Sequence, residues 1–314
     1  MSTDHKEYGE RVIRLITFNL EVDGGEDENG NPPERWRAAH ELLASRRPDA
    51  LFRQEATFSH LQDNRRLRAA GRILGMQGFL SPNGSGSNPT ALFVRPETFQ
   101  APRQYQHLRH WRTPPTRVDA RLDGAPERIV MMSWHFAFNS PRGRERETEE
   151  ILAQVDKVKQ GTSFIGAGDC NEYPWPEGET EQPIDWTSPD ITDLVHVRHR
   201  TNKAPDGSRV SCTYLDETLL SCGLHDPARY AARRGQTSAL KATAGRTAKG
   251  QGGPCRIDRF YLDPWLVNAV LEVNVVDMRG ISDHDAVEVI CSYRGCIEAL
   301  QRQSEPLPRM RLAV

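Results

Sequence analysis

The sequence predicts an α/β fold, and three observations carry that prediction. Short β-branched, largely apolar runs alternate with stretches whose apolar residues recur at helical spacing, the pattern of strands packed against helices. From Arg128 to Asn171 the order strand, helix, strand is unbroken, with polar residues where the strands end. Other apolar runs also end on a lone carboxylate, amide or imidazole, most densely at Ser282-Asp283-His284. That triplet sits in a short turn between two strand-like segments, Ala269–Val276 and Ala286–Cys291. Such a turn holds polar groups at the mouth of a sheet, where functional residues concentrate.

Taken in order, residues 1–10 read as a polar, mobile tail. Arg11–Leu20 alternates as a strand, with Thr17, Asn19 and Glu21 on one face and Phe18 and Leu20 on the other. Asp23–Pro33 is a loop by its glycines, asparagines and prolines. Trp36, Ala39 and Leu43 give a helix over 34–47 that Pro48 stops. Ala50–Ala56 is a second strand and Phe58–Leu74 a helix with arginines on its outer face. A glycine-serine loop, Ser81–Pro89, leads to a buried strand over 90–94. Arg128–His135 and Ser163–Asn171 are strands joined by an amphipathic helix over 144–159. The proline- and tryptophan-containing 172–189 segment reads as an ordered surface loop, and Arg256–Leu262 as a further strand. One domain over 11–293 results, followed by a tail over 294–314 that starts as a short helix and ends disordered.

Composition bounds the function. With 314 residues, 37% hydrophobic and 27% charged, the chain can bury a sizeable core. A formal net charge of −2 excludes a global nucleic-acid signature, so any such surface is local. No apolar run approaches a membrane span, and residues 1–7 lack the apolar core of a signal peptide. The six cysteines form no C-x-x-C pair; they read as reduced cytoplasmic thiols and argue against zinc.

The strand-end polar residues are Asn19, Glu21, Glu55, His135, Asp169, Asn171, Asp258, Asp283 and His284. A carboxylate in an otherwise apolar strand is costly to bury unless paired or bound to a cation. Oxygen-rich donors without cysteine suit Mg²⁺ or Mn²⁺. Thr17-Phe18-Asn19-Leu20-Glu21, Gln54-Glu55, Gly168-Asp169-Cys170-Asn171, Arg256-Ile257-Asp258-Arg259 and Ser282-Asp283-His284-Asp285-Ala286-Val287 resemble, in order, the motif series of the endonuclease/exonuclease/phosphatase superfamily. The resemblance spans Arg11 to Tyr293. It implies a four-layer αββα sandwich of two packed mixed sheets, and metal-assisted cleavage of a phosphoester. Carried over by residue, it implies that Glu55 is the principal metal ligand, with Asn19 near the metal or the attacking water and Asp283 supporting the metal side. Glu21 is either a further acid of that group or a solvated side chain. Asp258 would orient His284, which acts as general base or holds the phosphate; Asp169 and Asn171 would position the nucleophile and phosphate oxygens. His135 falls where many members contact phosphate. Arg53 departs from the apolar residue usual there and, by alternation, shares a face with Glu55.

Two substrate classes fit this set, a nucleic acid or a small phosphorylated metabolite or lipid headgroup. A binding protein without chemistry fits less well, because the catalytic set is intact. The 226–254 stretch is basic and rich in glycine and threonine, which predicts a mobile loop. Its Arg233, Arg234, Arg246 and Lys249, with the following Arg256, are candidates to track a phosphate backbone and favour nucleic acid as partner.

Overall fold

The computed structural model describes residues 8–82, 88–106, 110–125, 127–156, 162–176 and 183–301. In chain order its main elements are β1 (Val12–Asn19), α1 (Glu34–Ser45), β2 (Ala50–Gln54), α2 (Leu61–Leu74), β3 (Gln77–Leu80), β4 (Ala91–Val94), β5 (Phe99–Tyr105) and β6 (Thr116–Leu122). Then follow β7 (Arg128–His135), α3 (Pro141–Val155), β8 (Ser163–Asp169), α4 (Leu194–Arg200), β9 (Thr201–Lys203), β10 (Arg209–Ser211), α5 (Tyr214–Ser221) and α6 (Pro227–Arg233). The last are β11 (Asp258–Leu262), β12 (Val270–Val276), β13 (Ala286–Ser292) and α7 (Tyr293–Gln301).

Two mixed sheets form, ordered β12-β13-β1-β2-β4-β3 and β11-β8-β7-β6-β5, while β9 and β10 make a small ribbon. Alternation along the strands builds the layers. Ile13, Leu15 and Phe52 of the first sheet meet Val118, Met131, Ile165 and Phe260 of the second in one buried cluster. The opposite face of the first sheet, with Ile16, Phe18 and Phe93, is covered by Trp36, Leu43, Leu67 and Leu74 of α1 and α2. Met132, Trp134 and Phe164 of the second sheet are covered by Ile151, Val155, Leu215 and Leu219 of α3 and α5. This is the expected αββα sandwich. Each such side chain contributes roughly 1.5–3 kcal/mol by burial. Among the described residues no helix is long and apolar enough to cross a membrane, and all six cysteines are free.

Register brings the polar strand ends into rows. Asn19 lies opposite Gln54 in the first sheet. In the second, His135 lies opposite Asp169, and Asp169 opposite Asp258. The glycine of Gly168-Asp169 has a steric cause: a Cβ there would stand 1.9 Å from the Trp134 carbonyl oxygen, at a φ of 150°.

Several boundaries differ from expectation. The third helix starts at Pro141 because Ser140 caps it, its Oγ accepting from Gly143 N–H at 3.0 Å. The basic stretch is not an open loop: it holds α6, two 3₁₀ turns over 237–240 and 249–251, and Thr243 at 0% exposure. The expected tails fall largely outside the described residues. Of the first, Tyr8 donates to Glu272 at 2.7 Å and Glu10 accepts from Ser292 at 2.9 Å. Of the second, α7 buries Cys296 and Leu300 in the inter-sheet core. Most of the expected 81–89 loop, residues 83–87, also lies outside the described residues.

Arg53 does not share the face of Glu55. Glu55 takes a left-handed φ of 54°, which breaks the alternation, and Arg53 turns to the helix side. There its Nη2 is 3.2 Å from Asp23 and its Nη1 2.9 Å from His40 Nε2. Burial and the adjacent Arg53 push His40 down to about 3. It is therefore neutral, donating from Nδ1 to Trp36 O at 2.7 Å and accepting from Arg53. Asp23 also lies 3.6 Å from Arg66 and accepts from Ser59. Asp23→Ala leaves two buried guanidiniums short of their counter-charge and should cost about 3–5 kcal/mol. Urea denaturation reads this directly, and an unchanged midpoint would show that the ion pairs stabilise nothing.

Candidate active site

The two rows of strand-end residues face each other where the inter-sheet core opens. From β1, Asn19 Nδ2 donates to Asp169 Oδ2 at 3.2 Å and to Glu55 Oε1 at 3.3 Å, joining the sheets. Glu55 also accepts from Val22 N–H at 2.7 Å. From β7, His135 Nε2 stands 3.6 Å from Asp169 and 3.9 Å from Glu55. From β8, Asp169 accepts from the Asn171 N–H at 2.8 Å. Burial opposes its ionisation, but His284, His135 and Arg200 outweigh that and hold its carboxyl below the ordinary range.

His284 Nδ1 lies 2.8 Å from Asp258 Oδ2, and both residues are buried. Burial works against charge on the imidazole, yet Asp258, Asp169 and Asp283 overcome it and raise its pKa to about 10. Burial pushes Asp258 above the usual carboxylate value, with Asp169 adding to the rise and His284 and Thr243 opposing it. The short contact and the fields of Asp169 and Asp283 favour an imidazolium–carboxylate pair. A protonated His284 holds an anion rather than abstracting a proton. Thr243 braces its partner: its Oγ1 donates to Asp258 Oδ2 at 2.7 Å and accepts from the Asp258 N–H at 3.1 Å.

The Ser282-Asp283-His284 turn is stitched to β1. Ser282 Oγ donates to Asn19 O at 2.8 Å and accepts from His284 N–H at 3.3 Å. Arg246 clasps the same turn through Ser282 O at 2.8 Å and Asp285 Oδ1 at 2.6 Å. Asp283 is exposed at the rim. Asn171, at a φ of 49°, donates from Nδ2 to Phe136 O at 2.9 Å. Arg200 of α4 grips its other side, donating to both its backbone oxygen and its Oδ1. A cavity of about 190 Å³ opens beside His284, bounded by Tyr173, His196, Arg200, Arg246 and Asp283.

Asn19, Glu55, His135, Asp169, Asn171, Asp258 and His284 thus come together. Other candidates do not join them. Glu21 is drawn outward to Arg35 at 2.9 Å. Arg256 is buried and turned to Asp226 at 2.6 Å. Arg233 ends α6, and the adjacent Arg234 donates to Val270 O at 3.1 Å. Val270 pairs with Cys291, whereas Val276 pairs with Ala286 at the site end. Six residues of strand therefore separate Arg234's anchor from the site end, about 20 Å. Lys249 is exposed in its 3₁₀ turn. The sequence reading missed Arg200 and Thr243; no motif marks Arg200, and Thr243 lay inside a stretch read as mobile.

Asn19 Oδ1 is buried without a hydrogen-bond partner, beside Glu55, whose side chain is 16% exposed. An orphaned amide oxygen next to a reachable carboxylate fits a hard divalent cation. Asp169, Asp258 and His284 also bring donor atoms within 4.8 Å of one another, a group that could hold a metal. There, however, His284 Nδ1 is committed to Asp258, so the Glu55–Asn19 side is the better fit.

The sequence matches the Endonuclease/Exonuclease/phosphatase family over residues 16–284. No curated protein matches it. Its fold is similar to an AP endonuclease from Archaeoglobus fulgidus, at 14% identity and a TM-score of 0.58 over 89% of this chain and 99% of that one. It is also similar to D. rerio TDP2 complexed with single strand DNA product, at 17% identity, TM-score 0.56, and 90% and 99% coverage. A mannosyl-6-phosphatase from Bacteroides thetaiotaomicron matches at 14% identity, TM-score 0.55, over 88% and 98%.

Two outcomes follow from the geometry. Folding raises His284 from 6.5 to about 10, so the pair's stabilisation is complete below the unfolded value and lost as pH rises through the folded one. The stability gap between wild type and His284→Gln should therefore shrink from pH 6.5 towards about 10, measured by urea unfolding; a pH-independent gap contradicts the ion pair. Arg200→Ala should lower kcat by roughly 10–100-fold with little change in thermal midpoint, because Asn171 loses its clamp. Lysine should rescue it poorly, lacking the two-pronged geometry. Full activity in Arg200→Ala would remove the positioning role.

Proposed function

The chain belongs to the endonuclease/exonuclease/phosphatase family and is a phosphoric ester hydrolase; from that premise we propose that it is a divalent-metal-dependent nuclease. The observation that carries this reading is the convergence of Asn19 and His135 on the carboxylates of Asp169 and Glu55, with the charged His284–Asp258 pair alongside. A phosphodiester brings a negative charge that spreads over its oxygens in the transition state, so cationic donors must meet it. His284 supplies one, held in orientation by Asp258 and Thr243. Asp169, kept ionised in a buried setting, is suited to orient a water and accept its proton. Glu55 and Asn19 would hold Mg²⁺ or Mn²⁺, with Asp283 at the rim, and a cation so held would offset charge on the phosphate. Asn171, fixed by Arg200, keeps Asp169 in place through its backbone N–H.

The second reading, hydrolysis of a small phosphorylated molecule, is favoured by the small, partly open cavity of about 190 Å³ beside His284. Activity against plasmid, single-stranded DNA, RNA and a generic phosphomonoester, with Mg²⁺ or Mn²⁺, separates the two. Cleavage of nucleic acid, abolished by chelation, restored by added metal and reduced on the order of 10²–10⁴-fold in Asp169→Asn, is the expected result. Turnover confined to the phosphomonoester would favour the second reading, and turnover untouched by exhaustive chelation would exclude the metal.

A further inference from the structure

Between α1, α2 and the loop preceding α1 lies a cavity of about 580 Å³ that the catalytic residues do not use. Arg37, Arg65, Arg66 and Arg72 line it against one acid, Glu26. A chain of formal net charge −2 therefore gathers four guanidiniums around one space. The side chains of Arg37 and Arg72 are exposed and make no hydrogen bond or ion pair among the described residues. Arg66 is 6% exposed and lies 4.6 Å over the Phe58 ring. Its Nη2 has no hydrogen-bond partner, the nearest Glu26 oxygen being 3.6 Å away. Like charges lining one cavity repel, and an anion between them relieves that repulsion. The floor is apolar: Phe58 is half-buried and Leu61 is 53% exposed.

One loop separates this cavity from the catalytic edge. On one side Val22 N–H donates to Glu55; on the other, Arg66 Nη1 donates to Asp23 O at 3.3 Å and Gly25 O at 2.9 Å. Guanidiniums suit phosphate oxygens, and an apolar floor suits the face of a base. We propose that this groove holds the backbone of a single nucleic-acid strand running outward from the active site over the 21–33 loop. The proposal rests on the nuclease reading and names the path of its substrate.

The test compares wild type with Arg37→Ser/Arg65→Ser/Arg72→Ser, all exposed positions, after their thermal midpoints show the fold is kept. Fluorescence anisotropy with a single-stranded DNA of about 20 nucleotides, from about 50 to 200 mM salt, gives affinity and salt slope. Cleavage of that strand and of a dinucleotide gives turnover. The variant should bind the long strand on the order of tenfold more weakly, with the slope flattened by about 0.7 for each lost contact. Dinucleotide turnover should be unchanged. If wild type cleaves the long strand and the variant matches its affinity and slope, the groove falls and the nuclease reading stands. Equal losses on long and short substrates also overturn the groove, since its arginines would then serve the catalytic centre. If wild type neither binds nor cleaves nucleic acid but hydrolyses a phosphomonoester, both fall.

Discussion

Asp169 and Asp258 stand opposite each other on adjacent strands, both almost fully buried, and the burial of two acids side by side is the constraint that the groups around them answer. Two carboxylates this close, in a setting with little water, cannot ionise independently. The structure divides the burden unequally. Asp169 collects the Asn19 amide, the Asn171 N–H and the fields of His284, His135 and Arg200, and is held ionised. Asp258 collects Thr243 and the His284 imidazolium, and burial keeps its pKa raised. Environments that push two acids apart assign them different work. The first is held ionised among amide donors; the second is paired with an imidazole.

The loops that complete the site rely on backbone conformations that side chains seldom adopt. Glu55 and Asn171 have φ of 54° and 49°, and Val22 and Asp23 have 52° and 50°. Such residues cost on the order of 1 kcal/mol each and persist where surroundings over-determine them. Asn171 is held by Arg200, Phe136 and Asp169, and Glu55 by Asn19 and Val22. Val22 is in turn held by its neighbour Asp23, sunk into the Arg53, Arg66 and Ser59 cluster. The buried polar cluster on the helix side thus sets where the loop presents its N–H to Glu55. Stability outside the site and geometry inside it share one segment of chain.

Much of this was legible in the residues. Period-two alternation placed Asn19 on the face of β1 opposite Phe18 and Leu20, and five motifs at strand ends named six residues that the fold brings together. The fold followed from the same strands. What escaped has a physical pattern. Arg200 lies on a seven-residue helix, α4, whose side chains are none of them fully buried, so no apolar periodicity announced it. Thr243 is one hydroxyl in a stretch whose glycines and charges suggested mobility, yet it is fully buried because two backbone N–H groups and one carboxylate converge on it. Alternation failed at Arg53 because the next turn inverts at Glu55. Long-range hydrogen bonds and left-handed turns leave little trace in local pattern.

The arginines show the same point from the side of charge. Arginines grouped in sequence suggested a phosphate-tracking surface, but topology decides which guanidiniums reach solvent unpaired. Arg229 and Arg256 are buried against Asp216 and Asp226, Arg234 donates to a strand carbonyl, and Arg246 clasps the Ser282–Asp285 turn. Arg144 and Arg259 are wholly internal, satisfying Glu172, Ala137 O and Tyr261. Each buried guanidinium brings enough donors to tie several loop carbonyls at once, which suits a sandwich whose outer connections are long and irregular. In α1 and α2, by contrast, helical spacing turns Arg37, Arg65 and Arg72 outward together while Arg66 turns in. Cations spread through the sequence there become neighbours on one surface. The charge offered to an anionic ligand is therefore set by helix phase in α1 and α2 and by burial in the 226–256 stretch, where Arg229 and Arg256 turn in while Arg233, Arg234 and Lys249 stay exposed.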